Sequence, residues 1–260
     1  MSIDLNIKTL HYPYKLSLFY ERLRKLLIIN GLYKIALKTY FLQKVSFDDK
    51  NSPKFWDELF MSNKNIDPIA NWRHDVVLKK INPNKNILNI GVGRGDFEDL
   101  LFKWFPNIQY VGTDITVNTL NYVKSKFDGK KFIKSSVYNL PFNSDTFDQI
   151  CLLEVIEHIK PQKTMIVLKE IARVLNKEGI LVISIPVNES LHETLPNNPN
   201  SHMRSYSLNL LKFEILVTGL RPIKIYEASA FKKLFFIKNV INHILKIKKP
   251  NYYIILAKKI

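Results

Sequence analysis

Two carboxylates and an imidazole fall within five residues in the stretch EVIEHI, as Glu154, Glu157 and His158. On a helical turn the spacings i, i+3 and i+4 bring side chains to one face. Such a group could hold a divalent cation or lift a proton from a hydroxyl. A later histidine, His202 in NPNSHMRSYS, could complete a four-ligand set of Glu154, Glu157, His158 and His202. Three uses stay open for the group: a metal site, a metal-free base with His158 and Glu157 as the catalytic pair, or polar lining of a cleft.

A second constellation lies upstream. NILNIGVGRGDF, residues 86–97, runs a short apolar strand into Gly91, Gly93 and Gly95. Glycines there let the chain turn tightly and let a ligand approach the backbone with no Cβ in the way. A dinucleotide fingerprint would want a glycine where Asp96 stands. An aspartate opening a helix competes for the N–H groups a pyrophosphate would use, and repels it. No Gly-Lys-Ser/Thr follows, so this is not a phosphate-cradling loop of that kind either. A ligand with little negative charge fits better. Nineteen residues beyond Gly95, the stretch YVGTDIT ends the second strand with Asp114, where a carboxylate could accept both hydroxyls of a ribose.

These residues need a scaffold that gathers strand ends. Short apolar runs predict strands at 86–90, 108–113, 131–134, 147–153 and 180–185, with helices at 96–105, 117–127 and 163–175 between them. That alternation implies an α/β fold with a parallel sheet and helices on both faces. Ligands of such sheets sit beyond the C-terminal ends of the strands, where strand order reverses. A helix over SLNLLKFEILVTG then ends at Gly219, and two further strands, PIKIYEA and NYYIILAKK, flank a basic apolar segment at about 229–250. Cys151 falls inside a strand and is expected in the core. His192 and His202 flank a Pro- and Asn-rich stretch that could form a lid over the cleft, with Arg204 and Tyr206 just beyond it placed to touch the acceptor.

The ordered set of Gly91, Gly93, Gly95, Asp114, NLPFNSDTFDQI and EIARVLNKEGILVISIP resembles class I S-adenosylmethionine-dependent methyltransferases over about residues 70–260. The resemblance implies a Rossmann-like, seven-stranded, mostly parallel sheet with an antiparallel last strand. It implies that S-adenosylmethionine is the cofactor, that the three glycines embrace its methionine part and that Asp114 and Ile115 meet the ribose. Ser136 and Val137 match the adenine positions, Arg73 an arginine placed against the cofactor carboxylate, and Asn89 and Leu153 further cofactor contacts. Asn89 and Ser136 replace residues that are usually acidic, which weakens charge-assisted contacts. The Glu-x-x-Glu-His pattern is similar to that of ubiquinone-biosynthesis O-methyltransferases and of small-RNA 2′-O-methyltransferases, which hold Mg2+ with it.

The charge of +16 is unevenly spread. Residues 1–44 carry 8 basic and 2 acidic side chains and residues 221–260 carry 10 and 1, against 21 and 20 between them. Leu16, Phe19, Leu23, Leu26 and Leu27 recur at helical spacing before Gly31, so residues 1–50 are expected as a basic amphipathic helical extension to a domain over 51–260. That extension could cover the core or lie on a membrane or partner. In both ends lysine alternates with Phe, Ile and Leu, a pattern that suits an anionic membrane surface better than nucleic acid, where arginine and aromatic stacking are expected. The single cysteine excludes an internal disulfide framework. The N-terminus lacks an export pattern and no apolar run reaches the roughly 18 residues of a spanning helix. The expectation is a cytoplasmic enzyme, peripheral to the inner face of a membrane, that O-methylates a small or lipid-linked acceptor such as a quinone, lipid or glycan. The alternatives are an RNA 2′-O-methyltransferase and a cofactor-binding protein without catalysis.

Overall fold

A short run dominated by aliphatic residues, with no regular polar alternation, signals a strand covered on both faces. β1 (Ile87–Ile90) is buried at every position. β4 (Phe147–Leu153) is buried at all but one. The computed structural model describes residues 51–62, 69–187, 202–203, 206–229, 235–245 and 250–260, with isolated positions between 19 and 35. The remaining strands are β2 (Tyr110–Asp114), β3 (Lys131–Lys134), β5 (Leu175–Pro186), β6 (Leu220–Ala228) and β7 (Tyr252–Lys259). They form one sheet in the order β3-β2-β1-β4-β5-β7-β6. Pairings from β3 through β5 are parallel, and β7 runs antiparallel between β5 and β6. The expected α/β architecture with an antiparallel last strand is therefore present.

Helices cover both faces. On one lie α2 (Ala70–Leu78), α3 (Asp96–Trp104) and α4 (Val117–Lys126), which contribute Val77, Leu101 and Val123 to the same cluster as Ile87 and Cys151. On the other lie α5 (Thr164–Val174) and α6 (Leu208–Leu216), packed through Leu168, Ile171 and Leu211 against Leu88 and Ile150. Successive residues of β1 thus serve opposite cores, as the two-residue period of a strand requires. One boundary departs from expectation: β5 begins at Leu175 rather than 180. Leu175 pairs with Phe147 before the register shifts, and Glu178 takes a positive φ of 66°, so an irregular turn is absorbed into the strand.

α1 (Pro53–Ser62) precedes the sheet. Ser52 Oγ accepts from the Phe55 amide at 3.2 Å and Pro53 takes the first helical position, a combination suited to a helix start. Asp57 Oδ1 then accepts from the Asn118 amide at 3.2 Å, tying α1 to the start of α4. α7 (Phe235–Leu245) lies between β6 and β7, within the segment read as basic and apolar. Most of the expected N-terminal extension lies outside the described residues. Of its apolar face, Phe19 is 58% and Leu26 59% exposed. The reading in which that face covers the core does not hold for these two.

Candidate active site

Strand order reverses at β1: β2 and β3 extend the sheet to one side, and β4 is added on the other. At such a point the loops leaving neighbouring strands separate and open a crevice. A cavity of about 230 Å3 lies there, lined by Ile90 and Gly91 from β1, Thr113 and Asp114 from β2, Ser135 and Ser136 after β3, and Glu154 and Val155 after β4.

The three glycines do different work. All have positive φ: 82° at Gly91, 51° at Gly93 and 73° at Gly95. A Cβ on Gly91 would stand 2.6 Å from Val155 Cγ2, and one on Gly95 would stand 2.6 Å from the Phe127 ring. A Cβ on Gly93 would meet nothing within 4 Å. Gly91 and Gly95 are therefore demanded by packing, whereas Gly93 keeps a wall of the cavity clear. Gly93→Ala is expected to lower stability by about 1 kcal/mol, the left-handed backbone cost alone. Gly91→Ala is expected to cost roughly 2–4 kcal/mol, because the stiff Val155 side chain must also move. Denaturant unfolding of the two variants checks this, and equal losses would contradict it.

Asp114 is fixed by its neighbours. Its Oδ2 accepts from the Gly93 amide at 3.2 Å, and its Oδ1 accepts from the Thr116 amide and hydroxyl at 3.0 and 2.9 Å. Burial raises its pKa and these hydrogen bonds oppose the rise. The carboxylate oxygens, with two lone pairs each, keep accepting capacity for a ligand.

Across the cavity the chain leaves β4 through Glu154, whose φ of 56° is unusual for a non-glycine residue. Its carboxylate accepts from Tyr252 Oη and from Ser184 Oγ at 3.0 Å, and it lies 3.5 Å from Arg73 Nη1. A 3-10 turn over Ile156–His158 then presents His158 to the cavity. The Trp56 ring packs edge-on against His158 at 4.7 Å between centroids, and His202 packs on it at 5.0 Å. Met203 donates its amide to the Glu157 carbonyl at 2.8 Å, which brings His202 to this turn. Ligand-capable atoms of Glu157, His158 and His202 all lie within 4.8 Å of one another.

Residues 88–183 match a family described as Methyltransferase domain. A demethylmenaquinone methyltransferase from Thermotoga maritima is 30% identical over 151 residues, covering 57% of this chain and 62% of that protein. Residues 88–183 are thus similar to a methyltransferase domain. A ubiquinone/menaquinone biosynthesis C-methyltransferase from Campylobacter jejuni is 34% identical over 102 residues, 37% of this chain and 43% of that one. The matches thus span less than two thirds of these relatives. A solved structure of an S-adenosylmethionine-dependent methyltransferase from Archaeoglobus fulgidus shares the fold, with a TM-score of 0.53, 22% identity and coverage of 74% of this chain and 97% of its own.

The fold brings together Gly91, Gly93, Asp114, Ile115, Ser136, Val137, Glu154 and His158 around one cavity, as read from the sequence. Four expected cofactor contacts do not line it. Gly95 packs against Phe127, and Leu153 is buried in the core beside Cys151. Asn89 points to the opposite face of β1 from Ile90 and donates to Glu98 Oε1 at 2.6 Å. Arg73 lies behind Glu154, donating to Tyr252 Oη at 3.0 Å. Glu154 in turn stands apart from the Glu157, His158 and His202 group, because a positive φ rather than a helical turn places it. Tyr206 is not in a lid: it is buried and donates to Glu214 Oε2 at 3.3 Å. Arg204 and His192 lie outside the described residues.

The residue sequence reasoning missed is Trp56, which lines the cavity together with Asn51 and Tyr138. A signal existed in Ser52-Pro53 followed by Phe55-Trp56, a helix start carrying two aromatics. Nothing in that pattern points to His158, 102 residues later.

Proposed function

We propose that this chain transfers a methyl group from S-adenosylmethionine to a hydroxyl-bearing, amphiphilic acceptor of the quinone-precursor kind. The observation that carries the reading is a single cavity with Gly93 and Asp114 on one side and His158 on the other. The residues fit the cofactor on two further counts. Gly93 leaves open space where a side chain would intrude. Glu154, on the cavity wall, offers a carboxylate to the ammonium of a zwitterionic amino-acid group. Asp114 would hold a ribose hydroxyl, and Ser136 and Val137 would flank the base.

When bound, S-adenosylmethionine supplies an electrophilic sulfonium methyl, for which alignment of the reactants is the main requirement. His158 would take the acceptor's hydroxyl proton, with its ring held between Trp56 and His202. Deprotonating a ring hydroxyl enriches both the oxygen and the adjacent ring carbon, so one base serves O- or C-methylation. The names of the relatives, both tied to quinone methylation, support this acceptor class. An assay with a demethylated quinol and S-adenosylmethionine tests it. His158→Ala is expected to lower the rate on the order of 100-fold or more while leaving cofactor affinity unchanged. Absence of product from a protein that binds S-adenosylhomocysteine would defeat the quinol reading.

A second reading rests on the proximity of Glu157, His158 and His202. Two imidazoles and one carboxylate would suit Zn2+, Mn2+ or Fe2+ better than Mg2+, which prefers oxygen ligands. If these residues hold a cation, Mn2+ or Zn2+ should raise the melting temperature of the wild type and not of His202→Ala. Equal response, or none, removes the metal.

A further inference from the structure

Surface helices normally turn their apolar side inward. α7 does the reverse. Asn242 is buried and donates to Ser229 Oγ at 3.0 Å, and Asn239 Oδ1 accepts from the Ser229 amide at 3.0 Å. These two asparagines, three apart and on one face, fasten the helix to the end of β6. At 3.6 residues per turn, Ile237, Val240, Ile241, Ile244 and Leu245 spread over about 140° on the side directly opposite. Exposure there is high: 59% at Ile237, 61% at Val240 and 71% at Ile244. Lys238 and His243, both exposed, border this apolar strip on its two edges.

We infer that α7 is a membrane-docking helix whose outward apolar face enters the surface of an anionic lipid bilayer. An amphipathic helix lying in the interface needs apolar side chains on one side and cationic groups at its margins, near the lipid headgroups. In the sequence, Lys232 and Lys233 precede α7 and Lys246, Lys248 and Lys249 follow it. Residues 221–260 carry ten basic side chains against one acidic. That charge disfavours a second copy of this chain as the occupant, since two such faces repel. Nucleic acid would engage the lysines but would leave five aliphatic side chains without a role. The other basic end agrees independently: Phe19 and Leu26, two turns apart on one side of a helix, are also more than half exposed. The inference goes beyond methyl transfer and does not depend on it. It would place a lipid-soluble acceptor within reach of the protein.

Co-sedimentation with vesicles of phosphatidylcholine containing phosphatidylglycerol, beside vesicles of phosphatidylcholine alone, tests the inference. The intact chain is expected to bind the anionic vesicles several-fold more tightly. The double variant Val240→Glu with Ile244→Glu is expected to bind them at least tenfold more weakly, with an unchanged melting temperature and unchanged S-adenosylhomocysteine affinity. A nitroxide on Ile244→Cys gives a second readout, since the native Cys151 is buried and will not label. Its accessibility to oxygen should rise and its accessibility to a water-soluble nickel complex should fall when anionic vesicles are added. Equal vesicle binding by wild type and double variant, or no binding by either, would overturn the inference. So would sedimentation equilibrium showing a dimer that the double variant dissolves, because the occupant would then be a second copy. Binding to RNA that falls steeply with salt, without vesicle binding, would overturn it as well.

Discussion

Asp114→Ala should lower affinity for S-adenosylhomocysteine by roughly a hundredfold, the largest loss expected from any single substitution around the cavity. With two donors already on Oδ1 and one on Oδ2, the carboxylate has a site left for one ribose hydroxyl, a charge-assisted hydrogen bond of about 1.5–3 kcal/mol. The alanine variant also loses what holds the glycine loop, because Asp114 accepts from the amides of Gly93 and Thr116 and from the Thr116 hydroxyl. Asp114→Asn retains an acceptor at one position and should lose considerably less. Titration calorimetry of both variants, with melting temperatures measured alongside, separates ligand loss from unfolding. Because burial raises the pKa of Asp114, affinity should fall as acidification protonates it, starting at higher pH than for an ordinary aspartate. A folded Asp114→Ala protein with wild-type affinity would mean that the cofactor does not use this cavity.

Much of this geometry was legible in the sequence because it is local. A run such as Ile87–Ile90 carries its own strand signal, and Gly91 to Asp96 follows it directly, so strand, loop and helix start are read together. Asp114 could be placed because the length of a βα unit leaves little choice about where the second strand ends. A parallel sheet with helices on both faces followed from the alternation of strand and helix.

What the sequence did not disclose depends on which side of a strand or helix faces the ligand, and on partners far along the chain. Asn89 stands where the resemblance leads one to expect an acid, and its neutral amide implies weaker cofactor binding. In the structure it turns from the cavity toward Glu98 nine residues on, so the argument for a degenerate site built on it falls away. Arg73 is taken up by Tyr252, 179 residues distant, and by Glu154. A positive φ at Glu154 breaks the helical spacing that would have grouped it with Glu157 and His158. Trp56 reaches the cavity from before the sheet begins. The inverted polarity of α7 escaped for a related reason: an amphipathic pattern shows that two faces exist, and only the hydrogen bonds to Ser229 show which one is inside.

The pair formed by Asn89 and Glu98 leads to the second large effect, on stability rather than binding. Glu98 is fully buried, and its Oε1 accepts from Asn89 Nδ2 and from Tyr110 Oη. Burial raises its pKa to about 7, against the opposing pull of those two donors. Between about pH 4.5 and 7 the folded chain therefore keeps a proton that the unfolded chain releases. Stability should fall as pH rises through that window and level off above it. A shift of this size corresponds to about 3 kcal/mol between the ends of the window. Glu98→Gln carries no titrating group yet retains an oxygen for Asn89 and Tyr110, so this contribution to the pH dependence should vanish. Above pH 7 the variant should be the more stable by roughly 1–2 kcal/mol, since its buried amide N–H groups offset part of the gain. Denaturant unfolding of both proteins at intervals from pH 5 to 8 reads the difference in slope directly. Parallel curves would show that Glu98 is already ionised in the folded chain at pH 5 and that its neighbours hold the charge.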